Sequence, residues 1–422
     1  MEILIVTETY SPNVNGSALA TERLAKQLAS RGHSVSVVAP STAFRHIKTK
    51  QGKLTIYRLR SFLIQKTQEL RVSPMLLHSG EFNEIMLEVK PDIVHINNPG
   101  FIAWTAIAAA RQYHVPIIGT GHFMAENLTH YLRLPNQMEK ILNTSVWKMY
   151  ARFYSRLNLI ISPTPTAAHL LRKLNVKAKI EVISNGLDLD KFNPVNNGDY
   201  LKKRFKLPNK PIVLFLGRID KEKNIDVLIK ALGALKGKTD FHAIIVGKGK
   251  EESNLKKLAQ EVGVSNMVTF TGHLPKNDLP NIYKVADVFV MPGTAELQSL
   301  VTMEAMACGI PVIGANAVAL PHLIKNKRNG YLFEPGNEKD LANKLKLLLE
   351  NKSLRVKMGE ESLLIIKDHS MDEVIKKTER IYASVIKSYK LNHAKRKSSK
   401  RNVLKKLKNI NFKKMIPQEL RA

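Results

Sequence analysis

Cysteine is nearly absent from this sequence: Cys308 stands alone among 422 residues. A single thiol excludes an internal disulfide framework and fits a reducing compartment. Long hydrophobic runs are also missing. The longest apolar stretch, FIAWTAIAAA, is about half the ~20 residues a spanning helix needs. The opening MEILIVTETY has no basic leader and reads as a first strand rather than a signal peptide. Acidic residues are scarce beside basic ones, 36 against 66, for a net charge of +30. Such an excess suits nucleic acid, an anionic lipid surface or an anionic substrate. No zinc finger, RNP-like aromatic strand or recognition-helix pattern supports nucleic acid. G-x-G-x-x-G is missing from the first strand–helix turn, which counts against a dinucleotide-dependent oxidoreductase. Histidines are scattered and carboxylates lack coordinating spacing, so no metal or cofactor is expected.

What is present is a repeated grammar. EILIVTET is β-rich, the loop YSPNVNGSA follows, LATERLAKQLASRGH has helical periodicity, and SVSVVAP is a strand again. DIVHINN, VPIIGTG, LNLIISPT and KIEVISN continue the series. It restarts near residue 211 with PIVLFLGRI, DFHAIIVGKG, MVTFTGHL and DVFVMPG, each followed by a helical segment. The turn-rich stretch LDLDKFNPVNNGDYLKKRFKLPNK separates the halves. The pattern predicts two doubly wound α/β domains facing a central cleft, residues 1–187 and 188–370. Ligands of such sheets lie off the carboxyl ends of the strands, so the loops there carry the candidates.

The stretch TAELQSLVTMEAMACGIPV places Glu296 just before a helix that begins around Gln298 to Val301, and Glu304 about two turns on. The first helix amides, near Gln298, Ser299, Leu300 and Val301, lack intrahelical partners and carry the positive end of the dipole, which suits a phosphate. Carboxylates on either side suit hydroxyls. The residues alone leave two readings open: a clamp on phosphates flanked by polyols, or a helix-terminal charge and a solvated face. Arg218 and Lys223 follow a strand five positions apart, where two cations can neutralise a leaving diphosphate. Gly16 precedes the first helix and lets backbone approach a ligand closely. Asn13 and Asn15 in the same loop are acceptor-side candidates. Gly217, Gly247, Lys250 and His273 lie on loops at the carboxyl ends of strands, where a ligand would sit; for Gly247 a tight βα turn is an equal reading. His122, with Glu126 and His130 beyond it, follows the strand VPIIGTG.

Taken in order, these motifs resemble family 4 glycosyltransferases of the GT-B fold. The stretch 296–304 is similar to their E-x7-E element. LFLGRIDKEKN resembles their G-R-x4-K-N phosphate element, ETYSPNVNGSALATERLAKQLASRGHSVSVV their amino-terminal glycine loop and first helix, and VISNGLDLDKFNP their interdomain segment. IVGKG, VTFTGHL and EAMACGIPVI also match, and the resemblance covers about residues 1–390. It implies retaining transfer of a hexose from UDP-hexose or GDP-mannose without a metal. His122, Arg218, Lys223 and Glu296 would be catalytic, Glu296 and Glu304 would hold sugar and ribose, and Glu126 and His130 would touch the acceptor. Where the family often has Phe-Gly, this sequence has Gln298-Ser299, which implies a more polar wall beside the sugar.

The charge is concentrated at the end. From Lys387 to Ala422 there are 13 Lys or Arg against one acid, Glu419, or +12 of the +30. Residues 371–390 read as a helix crossing back to the first domain, and 391–422 as a basic amphipathic tail with Val403, Leu404, Leu407 and Ile410 on one stripe. Residues 133–156 mix Arg and Lys with Trp147, Tyr150, Phe153 and Tyr154, a second candidate lipid face. Similar basic family members glycosylate diacylglycerol or phosphatidylinositol. The expectation is a cytoplasmic enzyme bound peripherally to the inner face of the membrane, with no obligate protein partner. A soluble or polysaccharide acceptor and a catalytically silent sugar-nucleotide sensor are the alternatives.

Overall fold

A computed structural model describes residues 1–13, 16–63, 71–73, 78–121, 136–195 and 197–408, without the side chains of Val72, 136–143 and 396–408. Two separate sheets appear. The first uses β1 (Glu2–Val6), β2 (Ser34–Pro40), β3 (Ile47–Gln51) and β4 (Leu54–Leu59); a small hairpin, β5 (Phe62–Leu63) with β6 (Arg71–Val72), stands apart. It continues with β7 (Ile93–Ile96), β8 (Ile117–Thr120), β9 (Leu159–Ser162) and β10 (Lys179–Val182), in the order β10-β9-β8-β7-β1-β2-β4-β3. Only β3 runs antiparallel, to β4. The second sheet is all parallel. It comprises β11 (Ile212–Leu216), β12 (His242–Val246), β13 (Val268–Gly272), β14 (Val288–Met291), β15 (Val312–Ala315) and β16 (Gly330–Phe333), in the order β13-β12-β11-β14-β15-β16.

Central strands are buried on both faces: every residue of IVLFL in β11, HAIIV in β12 and VFVM in β14 is covered. Continuous apolar runs of this kind are what parallel sheets between helix layers require. The segment between the halves is no free linker. Leu187, Phe192 and Leu201 are buried in the second core. Gly186 adopts a left-handed φ of +75°, and Leu187 pairs with Ser370, so the outgoing and returning chains cross side by side.

The helix Met371–Lys408 returns to the first domain and runs without a break past residue 390. Met371, Val374, Ile375, Tyr382 and Val385 share a core with β1 and β2. His95 of β7 lies 2.6 Å from the buried Tyr382 hydroxyl through Nδ1 and 2.6 Å from Thr120 Oγ1 through Nε2. Arg31 and His33 reach Glu379 on the outer face. Residues 409–422 of the expected tail, and the side chains of Val403, Leu404 and Leu407, lie outside the described residues.

One expectation needs correction. In the helix Asn136–Tyr154, Tyr150, Phe153 and Tyr154 are 5%, 1% and 2% exposed, and Phe153 packs edge-on to Trp104. These aromatics fill the first core and are unavailable to lipid. Burying such large apolar surfaces inward outweighs their amphipathic use at an interface.

Candidate functional site

The carboxyl ends of β11 and β14, adjacent in the second sheet, bring two distant motifs together. Lys223 Nζ contacts Glu296 Oε1 at 2.5 Å, with both side chains mostly covered. Asn224, in a left-handed conformation, caps the turn and sends its amide to Pro292 carbonyl and Thr294 Oγ1. Arg218 is half exposed and pairs with Asp220 and Glu222. The cations are thus pre-positioned by carboxylates of their own loop and of the facing loop. Ser299 forms the N-cap of the helix Leu300–Ala307, and its hydroxyl accepts from Thr302. Leu300 and Val301 are half-buried beside it.

Glu304 sits deeper, 7% exposed. The Tyr283 hydroxyl donates to its Oε2 at 2.8 Å, and Arg23, from the first helix α1 (Gly16–Ser30), reaches Oε1 at 3.4 Å. Burial pushes its carboxyl above the usual range, opposed by Arg23 and Tyr283. An ion pair between the two domains is therefore built on the second glutamate. Neither Arg23 nor Tyr283 was among the candidates read from sequence. Nothing in local spacing marks them, because the pair joins residues 281 positions apart.

Gln298 does something other than line a sugar wall with its side chain. Its Oε1 accepts from the Asn185 amide at 2.8 Å and its Nε2 donates to Ser184 Oγ at 2.9 Å. That amide holds the strand leading into the crossover. Thr164 donates to the Leu297 carbonyl at 3.0 Å and Thr166 lies 2.6 Å from His322 Nε2, so the domains are stitched along one side of the cleft.

The glycines separate into two kinds. A Cβ on Gly16 would meet nothing within 4 Å, so its surroundings are open. A Cβ on Gly247 would lie 1.8 Å from the Gly217 carbonyl oxygen, and one on Gly249 2.1 Å from that of Ile219. These two let the β12 loop lie flat on the β11 loop. Lys250 is exposed and its amide reaches Asp220 at 3.4 Å; His273 is exposed on the loop after β13. Asn13 bonds back to Tyr10 and Thr9 within its own loop. Asn15, His122, Glu126 and His130 lie outside the described residues.

Glu8 also escaped the sequence reading. It follows β1, and its carboxylate accepts the Ala103 amide at 3.0 Å at the start of α3 (Phe101–Gln112). A Cβ on the preceding Gly100 would fall 2.3 Å from the Glu8 carboxyl carbon, so that glycine makes the room. Burial pushes the Glu8 carboxyl up to about 7, against the pull of the Ala103 and Ile102 amides. Between pH 4.5 and 7 the folded state then binds more protons than the unfolded one, and stability falls as pH rises through that window. Glu8→Gln removes the titration and keeps the shape. Its advantage over wild type in denaturant unfolding should grow by roughly 1–3 kcal/mol from pH 5 to pH 8. Parallel stability–pH curves for the two proteins would refute this.

Two α/β domains, with cations and a helix terminus at the carboxyl ends of the second sheet's strands, give the architecture of the GT-B class. Comparison with known proteins agrees. Residues 198–363 match the family described as glycosyl transferases group 1, and residues 14–191 match glycosyltransferase family 4. The α-monoglucosyldiacylglycerol synthase of Streptococcus pneumoniae is 30% identical over 81% of this chain and 77% of its own. The sulfoquinovosyl transferase of Arabidopsis thaliana is 30% identical over 64% of this chain, a match that spans 52% of that protein. In structure, sucrose-phosphate synthase from Thermosynechococcus elongatus superposes with a TM-score of 0.78 at 20% identity, covering 92% of this chain and 100% of that one. The chain belongs to glycosyltransferase family 4 and is a glycosyltransferase.

Proposed function

We propose that this enzyme moves a hexose, with retention of configuration, from a nucleotide-sugar to a diacylglycerol- or phosphatidylinositol-type lipid at an anionic membrane surface. The observation that carries the reading is the junction of the β11 and β14 loops, where Lys223 rests on Glu296 beside the N-terminus of the helix Leu300–Ala307. A donor diphosphate placed there meets Lys223, Arg218 and the first helix amides, which stabilise the charge that grows as the sugar leaves. Lys223 and Arg218 supply this charge themselves, so the proposed reaction is metal-independent. Glu296 holds sugar hydroxyls, and Glu304 ribose hydroxyls. The bond from the anomeric carbon to the phosphate oxygen breaks, and the acceptor oxygen bonds to the same face. The acceptor proton passes to the departing phosphate. His122 is the proposed orienting residue on the first domain. UDP-hexose is the favoured donor, with GDP-mannose the competing one.

Support for a lipid acceptor comes from the S. pneumoniae relative, whose name places a glucosyl group on diacylglycerol, and from the +30 charge. Among the described residues no helix is long and apolar enough to cross a membrane. Peripheral attachment to the inner, cytoplasmic face, through the basic carboxyl-terminal segment, is the proposed arrangement.

Purified protein, offered UDP-glucose, UDP-galactose, UDP-N-acetylglucosamine or GDP-mannose with anionic vesicles holding diacylglycerol or phosphatidylinositol, should form one glycolipid. The reaction should survive EDTA, and the anomeric coupling constant of the product should match that of the donor. Donor turnover onto soluble glycan alone would overturn the acceptor, and an inverted product the mechanism. A chain ending at residue 390 should lose most sedimentation with anionic vesicles at physiological salt, since each basic residue near such a surface contributes about 1 kcal/mol. Undiminished sedimentation would eliminate the tail as the anchor.

A further inference from the structure

The geometry points to a transition-metal site, Zn²⁺ in character, formed by His46, His78 and Glu81 at the rim of the first domain. The three residues look scattered in sequence. His46 immediately precedes β3, the edge strand of the first sheet. His78 is the N-cap of the helix α2 (Ser79–Val89), and Glu81 lies in its first turn. Antiparallel pairing of Ile47 with Arg58 sets the start of β3 at the carboxyl end of β4, and His46 meets Glu81 of α2 from there. One donor atom from each residue then lies within 4.8 Å of the others. His46 Nε2 is 3.0 Å from Glu81 Oε1, and His78 Nδ1 is 4.0 Å from Glu81 Oε2.

The independent observation is His78 itself. It is 1% exposed, and its Nδ1 has no hydrogen-bond partner. An orphaned buried ring nitrogen costs about 1–3 kcal/mol, and native structures rarely leave one without a reason. The other nitrogen, Nε2, is 2.8 Å from Ser73 Oγ, whose hydroxyl donates to the Arg60 carbonyl. That is the second contact that fixes ring orientation in metal-binding histidines. His78 also gives its own helix no side-chain cap, although it holds the cap position.

Two imidazoles and a carboxylate suit zinc, with a water completing a tetrahedron. Ligand bonds of about 2.0–2.2 Å require donor atoms roughly 3.3 Å apart, so side-chain shifts of about 1 Å assemble the site. Calcium and magnesium prefer oxygen donors and fit poorly. None of the site's three residues belongs to the β11–β14 junction. It would fasten an edge strand to the helix beside the β5–β6 hairpin.

The test is a titration of metal-free full-length protein with zinc sulfate and cobalt chloride. The expected result is saturable binding of one equivalent, with a rise in unfolding temperature and a visible cobalt absorption band of imidazole coordination. His46→Ala and Glu81→Gln alter half-exposed groups and should fold normally by circular dichroism. Each should weaken binding by about 10-fold or more, at least the loss seen when merely a second-layer partner is removed. His78→Gln should abolish it. Absence of saturable binding would overturn the site, as would affinity unchanged in folded His46→Ala and Glu81→Gln, which would assign the ion to other histidines.

Discussion

Lys223→Ala should lower kcat by about 10²–10³-fold while the protein keeps its unfolding temperature within a few degrees. Losing one donor that stabilises developing negative charge has that effect in other enzymes. Here the side chain is well placed to act: it is largely covered, fixed by Glu296, and mounted on a short 3₁₀ turn that ends in the left-handed Asn224. A desolvated cation interacts with a diphosphate more strongly than a solvated one. Arg218, half exposed and already shared between Asp220 and Glu222, should matter somewhat less on substitution by alanine. The double variant should fall short of the product of the two single losses, because both groups serve one charge. Initial rates under saturating donor separate this from a binding defect. A change below about threefold in kcat for Lys223→Ala would remove it from the catalytic assignment.

Gly247→Ala should lose more than about 3 kcal/mol of stability, or fail to yield soluble protein. Its φ of +135° is one that side chains rarely adopt, and the new Cβ would sit 1.8 Å from a backbone oxygen that belongs to the neighbouring strand's loop. Backbone at that position cannot move without lifting the β11 loop, which carries Arg218 and Lys223. Gly16→Ala is the matched contrast. Open space surrounds that position, and it begins a helix, so the variant should unfold like wild type. If a ligand approaches the backbone there, its KM should still rise. Denaturant midpoints paired with donor and acceptor KM values distinguish the two glycines. A stable Gly247→Ala would mean that the loops are less tightly apposed than the structure has them.

Strands with continuous apolar runs were easy to read, since IVLFL and VFVM admit few other uses. The edge pair β3–β4 was not. IKTKQ is almost wholly exposed and LTIYRL only partly covered, so neither carries the hydrophobic signature of a central strand. Elements that lie within one motif, such as Glu296 and the helix after it, were legible because a strand, its loop and the next helix are adjacent in sequence. Arg23, Tyr283 and Glu8 were not, because their roles arise only when separate helices and strands meet. Gln298 shows the other limit: its place in a motif suggested a sugar contact, whereas its amide is spent on Ser184 and Asn185.

The returning helix Met371–Lys408 bears on how the chain is made. Its 38 residues, about 57 Å of helix, supply Ile375 and Tyr382 to the core under β1 and β2. The first domain begins to leave the ribosome first, yet its hydrophobic interior is sealed by residues translated after the whole second domain. The second domain, whose strands all lie between residues 212 and 333, can finish folding while the first still waits with an apolar face uncovered. Domains usually mature in the order in which they emerge. Here the topology leaves that order open to reversal, because part of the first core is completed only by residues from Met371 onward.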